Sequence, residues 1–145
     1  MDLASSVDVT LGGKDATLAE LDDELGNGGY NSYLYVELAY NSSSKVKSID
    51  AYWVDAEGTL AAVYEEDDEI KVGSKTYVLA RNTDFVYMLG ASVDEADFRD
   101  VDDYDNDLDG LERFLDDCDD VNVDCVVYLT LNSSGDVTFI KAIAK

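Results

Sequence analysis

Hydrophobic and polar residues alternate along several short stretches of this chain, with the period of two that is typical of β-strands. Residues 34–40 carry an apolar side chain at every second position, residues 41–44 are Asn and Ser, and residues 45–54 return the chain. This pattern predicts a β-hairpin. Val7 to Leu11 alternates in the same way and stops at a pair of glycines, which predicts an earlier strand.

A different spacing, of three and four residues, relates Leu18, Leu21 and Leu25 and predicts a short helix. Thr17 precedes it as an N-cap residue, and Gly26–Gly29 follows it as a loop. The same succession of helix and hairpin occurs again about 90 residues later, which indicates a repeated architectural unit. The recurring residues are Leu18, Leu21, Leu25, Val36, Leu38, Asn41, Ser42, Ser43, Val46, Ile49 and Ala51, and then Leu108, Leu111, Leu115, Val127, Leu129, Asn132, Ser133, Ser134, Val137, Ile140 and Ala142.

Both returning strands contain a shift in the alternation. The apolar positions Val46 and Ile49 are three residues apart, as are Val137 and Ile140, which a strict period of two cannot produce. We therefore expect a β-bulge near Lys47–Ser48 and another near Thr138–Phe139.

These elements predict a mainly β fold, α+β by strict count, in which a strand–helix–hairpin unit occurs twice. Residues 59–80 add two hairpin-like turns, and residues 92–106 form an insertion that we expect to be a surface loop with a short helical turn. The sheets would pack as a small barrel or sandwich with short helices. We expect one module, 1–145, with halves 1–54 and 55–145 that share a core or pack closely.

The charge of the chain limits its partners. It has 33 acidic and 10 basic residues and a formal net charge of -23, which repels nucleic acid and anionic lipid. Adaptation to high salt and an ordinary solvated acidic exterior both fit this composition. No apolar run approaches the ~18 residues of a membrane helix, so we expect no membrane insertion.

The absence of histidine removes the most common general base and transition-metal ligand. Ser-His-Asp and zinc hydrolases are therefore excluded. With 33 acids, some pair of carboxylates lies at a workable distance in any fold, so glycoside hydrolysis by two carboxylates is the least favoured function. We do not expect an enzyme, and no cofactor is required.

One acidic motif has the spacing of a calcium-binding loop. Asp105, Asp107 and Asp109 alternate before a glycine, and Asp116 stands at the twelfth position. The repeat offers a different interpretation, in which Asp107 is the N-cap of the helix that begins at Leu108. A looser cation site would use Asp100, Asp102, Asp103 and Asp105. Ca²⁺ is thus the one candidate ion.

Two further groups of residues are candidates for a specific role. Cys118 and Cys125 are the only cysteines and are close enough in sequence to form a disulfide, or they are thiols of which at least one is buried. Tyr33, Tyr35, Trp53 and Tyr128 form a possible aromatic binding face for sugar rings; the alternative is a second apolar layer of the sheet.

The second half resembles the small β-rich repeat modules of Gram-positive cell-surface proteins of the S-layer type. The similarity lies in Ile70–Leu79, in the strand of Asp84–Gly90, in the leucine helix and in Leu129–Thr138. The resemblance implies a non-catalytic structural or interaction module that is secreted or at the cell surface, as part of a larger precursor since this chain shows no signal peptide. Its partners would be other domains or copies of the same protein, cell-wall glycan or a basic protein; the alternative is a calcium- or carbohydrate-binding module.

Overall fold

A computed structural model describes residues 2–25 and 33–145, and it divides the chain into two compact units, Met1–Asp55 and Ala56–Lys145. Strands predominate in both, so the predicted mainly β fold class is confirmed. The division lies one residue from the predicted boundary between the halves. That the two units form a single module stays a prediction, and the loop predicted at Gly26–Gly29 lies outside the described residues.

Unit 1 is a four-stranded sheet with one helix. The strand order is β2-β1-β4-β3, with β1 parallel to β4 and β3 antiparallel to it. Thr17 and Glu20 begin the helix with a reciprocal capping box, because each side chain accepts a hydrogen bond from the backbone N–H of the other. The elements are β1 (Leu3–Leu11), β2 (Lys14–Ala16), α1 (Leu18–Leu25), β3 (Tyr33–Tyr40) and β4 (Val46–Val54).

Unit 2 is a closed barrel of five strands in the order β5-β6-β7-β9-β8. β7 pairs with β9 in parallel, and β5 pairs with β8 to close the barrel. Short 3₁₀ turns occupy Glu65–Asp67, Glu95–Asp97 and Val101–Asp103. The other elements are β5 (Ala56–Tyr64), β6 (Glu69–Val72), β7 (Lys75–Leu89), α2 (Leu108–Asp120), β8 (Cys125–Leu131) and β9 (Val137–Ala144).

The hairpins of the two units have the same turn. The side-chain oxygen of Asn41 accepts hydrogen bonds from the backbone N–H groups two and four residues ahead, each 3.0 Å long. The side-chain oxygen of Asn132 accepts the equivalent two bonds, also 3.0 Å long. In each hairpin the Asn side chain thus satisfies donors that the tight turn leaves outside the ladder.

Both predicted bulges are present. The register of β3 against β4 skips Lys47, and that of β8 against β9 skips Thr138. An extra residue reverses the face to which the strand directs its side chains, so apolar residues three positions apart reach the same core. In this way Val46 and Ile49 are both buried, as are Val137 and Ile140.

Most of the buried residues of the described chain belong to two hydrophobic clusters, one in each unit. The insertion 92–106 differs from the expected surface loop, because Phe98 and Tyr104 are only 8% and 5% exposed and belong to the core of unit 2. Its two 3₁₀ turns carry the polar residues outside. Among the described residues no helix has the length and apolar character needed to cross a bilayer.

Candidate functional site

The acidic motif of the sequence lies at the start of helix α2, where contacts with β7 fix its backbone. The hydroxyl of Tyr87 donates to the carbonyl oxygen of Asp105 at 2.8 Å, and the N–H of Phe85 donates to the side-chain oxygen of Asn106 at 2.7 Å. A Cβ at Gly110 would lie 2.0 Å from the carbonyl oxygen of Asp105, so only glycine fits there. The loop is therefore held between β7 and the first turn of the helix.

Asp107 is the N-cap of α2. Its Oδ1 accepts a hydrogen bond from the N–H of Gly110 at 2.9 Å, and the helix begins at Leu108. The negative charges of Asp107 and Asp109 lie at the positive end of the helix dipole, which stabilises the helix. The capping interpretation of Asp107 is thus confirmed.

Asp105, Asp107 and Asp109 offer carboxylate oxygens that lie within 4.8 Å of one another. Asp116 does not join them: it lies seven residues after Asp109 on the same helix, about 10 Å along the axis. The structure therefore brings together three of the four predicted calcium ligands, and Asp116 is separated from them because the chain is helical from the fourth loop position onward. Of the four residues of the looser cation site, only Asp105 belongs to this group in the described part of the chain.

Two glutamates extend this aspartate group. Glu65, in the turn between β5 and β6, lies close to Glu112 of α2. Hydrogen bonding with Glu112, followed by desolvation and by the charges of Glu112, Asp109 and Asp107, raises the pKa of Glu65. Arg113 compensates part of the charge, since its Nη2 lies 2.7 Å from Oδ2 of Asp109.

The insertion is tied to α2 through Asp117. Arg99 Nε lies 2.9 Å from Oδ2 of Asp117, and the hydroxyl of Tyr104 donates to the same oxygen at 2.5 Å. Burial, followed by the hydrogen bond and charge of Asp117, raises the pKa of Tyr104. The rings of Phe98 and Tyr104 pack on Phe114, with centroids 6.1 and 5.1 Å away. A surface groove of about 480 Å³ lies beside these residues, lined in part by Phe98 and Arg99.

Cys118 on α2 and Cys125 on β8 are both buried, and both are free thiols rather than a disulfide. The hydrogen bond with Cys118, followed by burial, raises the pKa of the Cys125 thiol. A thiol with a raised pKa stays protonated at neutral pH and is a poor nucleophile. The pair therefore fills the space between helix and barrel.

The four predicted aromatic residues do not share one face. β3 and β4 pair so that Leu34 is opposite Trp53, which places Trp53 on the face of the sheet opposite to Tyr33 and Tyr35. Trp53 donates from Nε1 to the carboxylate of Glu24 at 2.6 Å. Tyr35 stacks on Tyr52, with ring centroids 5.1 Å apart, and Tyr128 lies in unit 2. The predicted position of Trp53 on the face of Tyr33 and Tyr35 is wrong, because the sequence does not show which residues of β3 and β4 are opposite one another.

Sequence reasoning also missed the contact of Glu65 with Glu112. These residues are 47 positions apart, and no local pattern connects a turn between strands to the face of a later helix. Comparison of the chain with protein-family models, with curated proteins and with solved structures finds no significant match.

The raised pKa of Glu65 predicts a pH-dependent loss of stability. The folded state holds the proton of Glu65 more tightly than the unfolded state, so stability falls as the pH rises above the ordinary value of 4.5. Glu65→Gln should therefore raise the thermal midpoint at pH 7, by a few degrees at most because the group is exposed, and should change it little at pH 4. Thermal unfolding followed by circular dichroism measures both.

Glu66→Gln is the matched control, since it removes the same charge from the same turn. Equal effects of the two substitutions, or an effect of Glu65→Gln that is the same at both pH values, would contradict this account of the carboxylate pair.

Proposed function

We propose that this chain is a non-catalytic structural and interaction module of an exported or cell-surface protein. The observation that carries this proposal is the arrangement common to both units: a strand, a capped helix and a bulged hairpin whose returning strand pairs in parallel with the first strand. A unit that occurs twice with the same pairing is typical of structural repeat arrays.

The chemistry of the repeated positions supports the same function. In both units the shared residues are apolar residues of the helix and hairpin, a helix cap and an Asn turn. The aspartate group and the buried thiols, by contrast, belong to unit 2. Because function follows from sites and not from the fold, a repeated scaffold without a repeated reactive group favours a spacer or docking role over catalysis.

The net charge of -23 indicates what such a module would contact. Copies of the same acidic chain repel one another unless salt or cations screen them, whereas a basic protein or an uncharged wall glycan meets no such barrier. We therefore propose other domains of the same surface protein, cell-wall glycan or a basic surface protein as partners.

Cosedimentation of the full chain with purified Gram-positive cell-wall sacculi tests this function. We expect saturable retention without release of soluble sugar from the wall, since the module binds and does not cut. Tyr33→Ser should weaken retention if the glycan stacks on unit 1. Tyr64→Ser in unit 2 is the matched control, because these two tyrosines are similarly exposed, at 43% and 41%.

Two outcomes would contradict the proposed function. One is the absence of both retention on the wall and self-association in sedimentation velocity at high salt. The other is release of soluble reducing sugar by the chain, which would make it a hydrolase.

Calcium binding is the second candidate function, and the aspartate group favours it. Three carboxylates within 4.8 Å repel one another, and a divalent cation would relieve this repulsion. Asp107 uses Oδ1 for the helix cap and Asp109 uses Oδ2 for Arg113, which leaves the second oxygen of each for an ion. Because Ca²⁺ takes six to eight oxygen ligands, water would supply the remaining ones.

Thermal unfolding with EDTA and with millimolar Ca²⁺, at constant ionic strength, tests this site. We expect Ca²⁺ to raise the midpoint by several degrees, and Asp105→Asn to abolish the increase. Asp103→Asn is the matched control, since it removes the same charge from an exposed residue outside the group. An unchanged midpoint, or an increase that both variants retain, would remove the calcium site.

A further inference from the structure

The three long strands of unit 1 correspond one to one with three strands of the unit 2 barrel. β1 pairs in parallel with β4 as β7 does with β9, and β3 pairs with β4 as β8 does with β9. The registers agree in detail, because both parallel pairs shift after the first partners and resume five residues later on β1 or β7. β1-β4-β3 is thus the counterpart of β7-β9-β8.

The barrel has two further strands that the described sheet of unit 1 does not contain. In unit 2, β5 pairs with β8 along Val126–Leu129, and β6 joins β5 to β7. In unit 1 the order is β2-β1-β4-β3, so β3 is the last strand at one edge of the sheet. The counterpart of an interior barrel strand is therefore an edge strand.

The exposure of two apolar residues shows the consequence. Val36 and Leu38 lie on the core side of the sheet, opposite Ala51 and Ile49, yet they are 39% and 37% exposed. Their counterparts Val127 and Leu129 have the same partners in the hairpin and are fully buried. Unit 1 thus leaves uncovered the apolar positions that β5 and β6 help to cover in unit 2.

We propose that the β3 edge of unit 1 (Tyr33–Tyr40) binds a two-stranded β-segment that completes its sheet as β5 and β6 complete the barrel of unit 2. Strand addition to a sheet edge is an established mode of recognition, in which backbone bonds give affinity and alternate side chains give specificity. This inference rests on the proposed function as an interaction module and names the partner of one of its surfaces.

The equivalent contacts in unit 2 define the chemistry of the partner. Ala56 and Gly58 are the residues of β5 opposite Leu129 and Val127, so small side chains face the counterparts of Leu38 and Val36. Further along, Leu60, Ile70 and Val72 are buried in the core of the barrel. The partner is therefore a β-hairpin with small residues in its docking strand and an apolar residue at every second position.

A synthetic peptide of residues 56–72 is the probe, added to the full chain. Trp53 is the only tryptophan and lies on β4 opposite Leu34, so its emission reports on unit 1. In about 1 M NaCl, where the Debye length is about 3 Å, we expect saturable change of Trp53 emission and an increase of a few degrees in the midpoint of its thermal transition. A peptide with Leu60→Asp and Ile70→Asp should have neither effect.

Substitutions in the chain test whether the peptide binds at β3. Val36→Lys and, independently, Leu38→Lys should weaken binding of the peptide at least tenfold, with circular dichroism confirming that each variant is folded. Val78→Lys in unit 2 is the matched control, since Val78 is similarly exposed at 43%, and it should bind as the parent chain does.

Absence of a Trp53 response to the peptide, or a response that both β3 variants retain, would overturn the inference. A dimer of the chain alone in sedimentation velocity that Val36→Lys dissociates would also overturn it, because the occupant would then be a second copy. Retention on cell walls by a chain that does not respond to the peptide would remove this inference and leave the proposed function standing.

Discussion

The parallel pairing of the last strand of each unit with the strand that precedes its helix, β1 with β4 and β7 with β9, is the constraint on which the structure depends. A parallel pair cannot be joined by a tight turn, so the chain has to cross over between the two strands. Each crossover contains a helix and a strand that turns back by a hairpin, and in unit 1 the short strand β2 precedes the helix. In unit 2 the resulting central strand, β9, is paired on both sides and buried along almost its whole length.

The bulge makes this central strand compatible with one core. In an unbroken strand, side chains three positions apart point to opposite faces, and one of the pair would reach solvent. The extra residue at Thr138 allows both Val137 and Ile140 to be fully buried. The extra residue at Lys47 likewise allows Val46 and Ile49 to be buried, with side chains that are 0% and 3% exposed. The shift of alternation in the sequence is therefore a packing requirement of the paired central strand.

The local part of this architecture could be predicted from the sequence. The hairpins, the helix caps and the bulges each depend on residues within a few positions of one another, so alternation and turn chemistry identify them. Closure of the barrel could not be predicted in the same way, because β5 and β8 pair across about 70 residues. The local sequence of neither strand identifies the other as its partner. Asp116 and Trp53 show the same limit, since a helix and a strand register decided where their side chains lie.

The two units thus apply one pairing scheme with different outcomes, a closed barrel in unit 2 and a sheet that ends at β3 in unit 1. Native-state hydrogen exchange, resolved by residue, measures this difference most directly, because amides of an interior strand exchange only when the sheet opens. The account predicts that the average protection of β8 exceeds that of β3 by orders of magnitude in the chain without added ligand. Equal protection of the two strands, or stronger protection of β3, would contradict it.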